Sequence, residues 1–352
     1  VYSLLVFGTF GALALAGAGD IMFLVLGVLV TSLASFALVA YPGSTAATEA
    51  AMKYFVFGSV SGAVMIFGLT YWYGATGSTL LGEAGGFAGK WPIATAALVA
   101  IYVGLGYKAG LVPFHFWAPD AYDGGPLAVA AWLSIVPKVG AVFAIARVVQ
   151  DIPVDTVNWQ LGLATIAVIS MTYGNLTALA QTNVVRLLAY SSIAQSGYFL
   201  LGLVAIGESD IAVRSLIVFS AAYAAMNIGM FAAIAAVGRE LADFQGIGRT
   251  KPWLGVATVV FLLSLVGIPP LAGFVGKLLL FGAAIDADYT WLAVIGILNS
   301  VLSLAVYLRV IVPMYQPGPG EQRFTIASST ATVVAVTLLF TVAVGIGAEA
   351  LL

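Results

Sequence analysis

Cysteine is absent from the 352 residues, which excludes disulfides, thiolate-bound metals and cysteine-ligated iron–sulfur clusters. The one histidine, His115, cannot build a metal site alone. Charge is scarce: Asp, Glu, Lys and Arg make up 8% of the chain, where a soluble domain carries about 25%. A net charge of −2 with no basic patch gives nucleic acid nothing to bind.

What remains is apolar. The chain is 62% hydrophobic, with a mean hydropathy of +1.08. Its long apolar runs read as membrane spans, because about 20 helical residues cross a bilayer core. The expected fold is an all-α polytopic membrane protein forming a single transmembrane domain over 1–352. Eleven spans are expected, at about 2–19, 21–41, 51–73, 93–117, 126–149, 157–180, 183–206, 211–238, 252–284, 289–315 and 326–350. Turn-rich or charged stretches divide them: Pro42-Gly43-Ser44, the Gly-rich 74–92, Asp123-Gly124-Gly125-Pro126, Asp151 to Asp155, and Pro317-Gly318-Pro319-Gly320. The chain opens at Val1 inside an apolar run and shows no signal-peptide pattern; the missing Met marks a fragment, with upstream helices expected to be absent from it.

Three lysines interrupt these runs: Lys108, Lys138 and Lys277, out of 13 Lys and Arg. A cation at mid-bilayer costs at least about 2.5 kcal/mol, so it marks an ion or proton path. Two of them lie near helix breakers. In GLGYKAGLVPFHFWAPD, Pro113 follows Lys108 by five residues; in SLVGIPPLAGFVGK, Pro269 and Pro270 precede Lys277. Proline removes a backbone donor and clashes with the preceding turn. Broken backbone at membrane depth is tolerated only when buried in protein or lining a wet cavity. Taken as units, 2–149 and 157–315 each place a broken, lysine-bearing helix fourth of five. An odd number of passes inverts the second unit, giving two inverted five-helix repeats followed by a final helix at 326–350.

Loop charge sets orientation. One side holds Lys53, Arg186, Arg239, Arg249, Lys251, Arg309 and Arg323; the other holds Lys90, Arg147 and Arg214 among most of the acids. The first side, with the N-terminus, is expected in the cytoplasm and the C-terminus outside.

Four stretches, EAAMKYF (49–55), GLGYKAGLVPFHFWAPDAYDGGP (104–126), GNLTALAQTNVVRLLAYSSIAQSGY (174–198) and LSLVGIPPLAGFVGKLLLF (263–281), resemble the antiporter-like subunits of respiratory complex I. The resemblance runs from Val1 to about Gln316 and is strongest to the N subunit, called subunit 2 in mitochondria. Large subunits of multisubunit cation/proton antiporters share the proline breaks. The resemblance implies a fourteen-helix family subunit lacking its first three helices here. It implies a bacterial or archaeal plasma membrane, with other membrane-arm subunits as partners: a neighbouring antiporter-like subunit and small membrane subunits. No cofactor is implied for this chain; the parent complex uses NADH or another donor, flavin, iron–sulfur clusters and quinone.

Burial disfavours the charged form of an amine, so these lysines can exchange protons where exposed ones cannot. The resemblance makes Lys108 the proton-holding residue of the inner half-channel, Lys138 the central relay and Lys277 the residue of the outer half-channel, with water between them. Ser134, Tyr190, Ser191, Ser192, Asn227 and Ser264 are candidates for ordering that water, or simply for bonding neighbouring helices. The chain departs from the family at Leu29, where a Glu would pair with Lys108, at Gln195 in place of a frequent His, and at Arg186 in place of Lys. His115 is read as an imidazole bonded to backbone freed at the break, with proton entry as the alternative. Asp120 and Asp123 are read as capping acids, and Glu49 with Lys53 as an intrahelical pair. The leading reading is a proton-translocating subunit of a complex I-type NADH:quinone oxidoreductase. The alternatives are a cation/proton antiporter subunit and a scaffold with impaired pumping, the latter resting on Leu29.

Overall fold

A computed structural model describes residues 1–152, 155–318 and 326–347. Its regular structure is helical: α1 (Tyr2–Ala16), α2 (Ile21–Ala40), α3 (Thr45–Thr76), α4 (Trp91–Ala109), α5 (Trp117–Gly124), α6 (Leu127–Gln150), α7 (Trp159–Leu179), α8 (Val184–Val204), α9 (Ala212–Val237), α10 (Ile247–Thr250), α11 (Pro252–Val266), α12 (Ala272–Asp286), α13 (Thr290–Met314) and α14 (Ser328–Ile346), with short 3₁₀ turns at Leu81–Phe87 and Leu241–Phe244. Among the described residues, nine helices are long and apolar enough to cross a membrane; α1 and α11 are shorter apolar helices. The chain is therefore a multi-pass membrane protein.

The expected third span, 51–73, is longer than anticipated and runs over Thr45–Thr76, capped by the Ser44 side chain and ended by Gly77 at φ +72. The expected fourth span, 93–117, is corrected: its helix stops at Ala109, where Gly110 turns left-handed at φ +70. Residues preceding a proline are pushed out of the helical region, so the helix ends upstream of Pro113 rather than kinking at it. The expected ninth span divides into α11 and α12 around Gly267, at φ +95, and the two prolines. Arg323, used for orientation, lies outside the described residues, as do 348–350 at the end of the 326–350 span.

Packing runs in matched pairs. α1 packs on α2 and α6, α3 on α4 and α5, and α5 on α6; in the second half α7 packs on α8 and α13, α9 on α11 and α12, and α12 on α13. α14 lies across α9, α11 and α12. The centre belongs to α8, 94% of whose apolar window is buried. Small residues allow close approach: a Cβ on Gly174 would meet the Tyr190 carbonyl at 2.7 Å, and one on Gly197 the Ala167 carbonyl at 2.8 Å, which locks α7 against α8.

Candidate functional site

Each proline break leaves carbonyls without their helical donors, since proline cannot bond the carbonyl four residues earlier. Pro113 releases the carbonyl of Ala109, and Ser196 Oγ of α8 donates to it at 2.6 Å. The Tyr107 carbonyl takes the Trp117 indole N–H at 2.8 Å. At the second break, Pro269 and Pro270 release the carbonyls of Leu265 and Val266. Gln195 Nε2 donates to the first at 3.1 Å and Lys277 Nζ to the second at 2.9 Å. Gln195, expected only to order water, is thus a backbone cap, and its Oε1 faces no protein partner. Ser264 is likewise a backbone partner: its Oγ accepts the Gly273 N–H at 3.0 Å, tying α12 to α11.

The three lysines are 1–2% exposed, and among the described residues none makes an ion pair. Lys108 occupies the last turn of α4, where the negative end of the helix dipole favours a cation. Its Nζ donates to Tyr54 Oη at 3.3 Å. It lies 5.8, 5.2 and 5.4 Å from the ring centres of Phe36, Tyr54 and Tyr107, within cation–π range. Leu29 is 46% exposed and lines an apolar outer groove of about 280 Å³ with Phe36 and Phe55. A hydroxyl and aromatic faces therefore surround this amine, with no carboxylate among its contacts.

Lys138 follows Pro137 within α6. Its Nζ donates to the Ser192 carbonyl and to Ser192 Oγ, both at 2.5 Å, and lies 3.4 Å from Tyr223 Oη. Lys277, besides the Val266 carbonyl, donates to Ser300 Oγ at 3.1 Å and sits 3.8 Å from the Tyr198 ring centre. Ser191 Oγ lies 2.5 Å from Tyr307 Oη, and Asn227 Nδ2 faces no protein partner among the described residues. Ser134 bonds only its own helix, to the Ala131 carbonyl at 2.7 Å.

Several expected roles change. His115 is buried, but among the described residues neither ring nitrogen has a partner, so it does not bond the freed backbone. Its ring instead packs on Phe116 and Tyr173 at 4.4 and 4.8 Å. Tyr190 is half-buried against Tyr173 and stands apart from the lysines. Asp120 and Asp123 are ion-pair partners rather than caps. Asp120 lies 3.0 Å from Lys53 and 2.9 Å from Arg186, and Asp123 lies 3.4 Å from Arg239. The Glu49–Lys53 pair is present at 2.8 Å. Partial burial alone would raise the Asp120 carboxyl; hydrogen bonds from Arg186 and Lys53, and their charges, outweigh it and hold the group below its ordinary value.

Sequence reasoning passed over Tyr54, Tyr107, Tyr122, Tyr223, Ser196 and Ser300. Tyr54, Tyr107, Tyr122 and Ser196 lie inside stretches already singled out, but a hydroxyl in a string is indistinguishable from packing until it has a partner. Among the described residues, no group of three or more His, Cys, Asp or Glu could hold a metal ion.

Two broken helices, each with a buried, unpaired amine beside the break, define a membrane protein of the proton-conducting antiporter class. Comparison narrows the class. The model of the family described as "NADH:quinone oxidoreductase/Mrp antiporter, TM" matches residues 18–303, and the chain belongs to that family. The NADH-quinone oxidoreductase subunit N of a Mycobacterium species is 43% identical over 89% of this chain and 68% of its own length. The F(420)H(2) dehydrogenase subunit N of Methanosarcina mazei is 41% identical over 91% of this chain and 69% of its own. A chain of respiratory complex I from Thermus thermophilus superposes with a TM-score of 0.86 at 33% identity, covering 98% of this chain and 77% of that one.

Proposed function

We propose that this chain is the N-type membrane subunit of a complex I-type oxidoreductase, translocating protons through Lys108, Lys138 and Lys277 while electron transfer takes place in other subunits. The observation that carries the reading is the environment of the amines. All three are buried without a carboxylate, against hydroxyls, carbonyls and ring faces. An amine held this way can gain and lose a proton without breaking an ion pair. Lys108 serves the inner half-channel, Lys138 is the central relay, and Lys277 serves the outer half-channel; water joins them.

The two halves are inverted repeats, a reading supported by the matched packing of α1–α6 with α7–α13 and by a break at the same place in each. Lys53, Arg186 and Arg239 gather at one end of the helices around Asp120 and Asp123, which supports placing that end in the cytoplasm. The partners are a neighbouring antiporter-like subunit, small membrane subunits and the lipid of a bacterial or archaeal plasma membrane. The family also embraces Mrp antiporters, and a cation/proton antiporter subunit is the second reading; relatives named as subunit N favour the first. Retention of three buried lysines stands against a pump-dead scaffold.

The test is proton translocation per electron pair in vesicles holding the parent complex. Lys138→Ala is expected to abolish transfer through this subunit while assembly survives, and Lys108→Met to lower the ratio. Full pumping by an assembled Lys138→Ala variant sinks the central-relay role, and an unchanged ratio and rate in Lys108→Met brings the scaffold forward.

A further inference from the structure

A hydroxyl passes a proton only if its hydrogen can change partners. One held by a backbone carbonyl cannot, because a carbonyl oxygen accepts and never donates. This criterion sorts the hydroxyls around the lysines. Ser196 Oγ is committed to the carbonyls of Ala109 and Ser192, at 2.6 and 3.0 Å. Tyr107 Oη is committed to the Tyr54 carbonyl at 2.9 Å. These are struts.

Ser192 Oγ is different. Its neighbours are Lys138 Nζ at 2.5 Å, Tyr223 Oη at 2.9 Å and Tyr122 Oη at 3.2 Å. When Lys138 is an ammonium it donates to Ser192 Oγ, and the serine hydrogen can turn toward Tyr122. When Lys138 is a neutral amine its lone pair can accept the serine hydrogen, and Tyr122 can donate to Ser192. In both arrangements Ser192 Oγ keeps a donor and an acceptor among these neighbours, so its hydrogen has two directions.

We infer that Tyr122 and Ser192 form a two-hydroxyl relay that loads the proton onto Lys138, an inference that rests on the transport function proposed above. The O–H bond of Tyr122 breaks as its proton bonds Ser192 Oγ. The original Ser192 O–H bond breaks as its proton bonds Lys138 Nζ. The Tyr122 oxygen takes its replacement proton from a water on the Lys108 side, that water takes one from Tyr54, and Tyr54 takes one from the Lys108 ammonium, so Lys108 ends neutral, Lys138 ends charged, and no phenolate, hydroxide or hydronium is left. The Lys108 side has a matching group: Tyr54 Oη lies 3.3 Å from Lys108 Nζ. The rings of Tyr54 and Tyr122 flank one indole, Trp117, at 4.3 and 6.2 Å, and a water between the two phenols closes the path. α5 thus carries the donor for Lys138 on a helix whose Trp117 packs on Tyr54 and Tyr107, the two tyrosines whose rings face Lys108.

The test uses the whole complex in vesicles and reads protons moved per electron pair. Tyr122→Phe keeps the ring and removes only the hydroxyl, and Ser192→Ala removes the acceptor. Each is expected to slow proton transfer by at least about tenfold with the complex assembled, and Ser192→Thr to restore it. Ser196→Ala, a strut lesion, is expected to leave the ratio unchanged. Wild-type ratio and rate in both Tyr122→Phe and Ser192→Ala overturn the relay. Lys138→Ala run alongside separates the two ideas: if it stops transfer and the hydroxyl variants do not, only the relay falls; if it too is silent, the transport reading falls.

Discussion

The two broken helices solve one problem in two ways. At the first break neutral groups meet the carbonyls: the Ser196 hydroxyl caps that of Ala109, which Pro113 releases, and the Trp117 indole adds a donor to that of Tyr107. Lys108 is left to a phenol and three ring faces. At the second break the lysine is itself the cap, donating to the Val266 carbonyl at 2.9 Å. The second break is also the tighter one. A Cβ on Gly273 would fall 1.8 Å from the Ser264 carbonyl oxygen, and one on Gly345 of α14 would fall 1.9 Å from the Pro270 carbonyl. At the first break the Val112 N–H is met by Ser170 Oγ of α7 at 3.1 Å. The first amine is therefore separable from its scaffold, and the second is built into it.

The sharpest way to break that contrast is a methyl group at each break. Gly273→Ala is expected to cost about 3 kcal/mol and to deplete assembled complex in membranes, because backbone rather than a side chain must move. Gly106→Ala at the first break would bring its Cβ 3.1 Å from the Phe114 ring. Its helix-propensity gain of about 1 kcal/mol offsets that contact, so near-normal assembly is expected. Equal losses for the two variants would erase the difference in tightness.

Exchanging the lysines themselves is expected to have a smaller effect on stability. Lys277→Met leaves the buried Val266 carbonyl without its donor and is expected to cost about 1–3 kcal/mol, read as a lower unfolding midpoint of the purified complex. Lys108→Met frees no backbone carbonyl and is expected to leave that midpoint nearly unchanged while lowering proton transfer. A larger drop for Lys108→Met would reverse the assignment of cap and free amine.

The smallest effect belongs to the ion pairs beside the first break. Asp120 is held below its ordinary value of 3.8 by Arg186 and Lys53 acting against desolvation. A carboxyl lowered in the folded state contributes stability that is complete above its unfolded value and fades as pH falls through the folded one. Asp120→Asn is therefore expected to lower the unfolding midpoint slightly at pH 7, by an amount typical of partly exposed pairs, up to about 1 kcal/mol. The difference from wild type should shrink below pH 3.8. A gap that widens in acid would contradict the pairing.

The sequence was legible wherever one residue type carries its meaning alone. A lysine in an apolar run is costly wherever that run folds, and a proline removes a hydrogen bond in any helix. Lys108, Lys138, Lys277 and both breaks were therefore readable from the string. Helix ends were less so. The apolar run predicts a fourth span through Pro113, whereas the helix stops at Gly110, because a left-handed glycine and a pre-proline residue act together. The partners were not legible at all. Asp120 looked like a cap until α3 and α8 brought Lys53 and Arg186 to it, from 67 and 66 residues away in the chain.

Composition and spacing determined by themselves that this is a helical membrane protein with three expensive amines and two interrupted helices. Those conclusions follow from the cost of burying charge and of losing backbone donors, and both costs are local to the residue. Only the tertiary structure decided what stabilises each amine, which hydroxyls are struts and which can turn, and that His115 has no bonded partner among the described residues. Hydrogen bonds and ring contacts act over about 3–6 Å. Which groups come that close is fixed by packing between helices far apart in sequence.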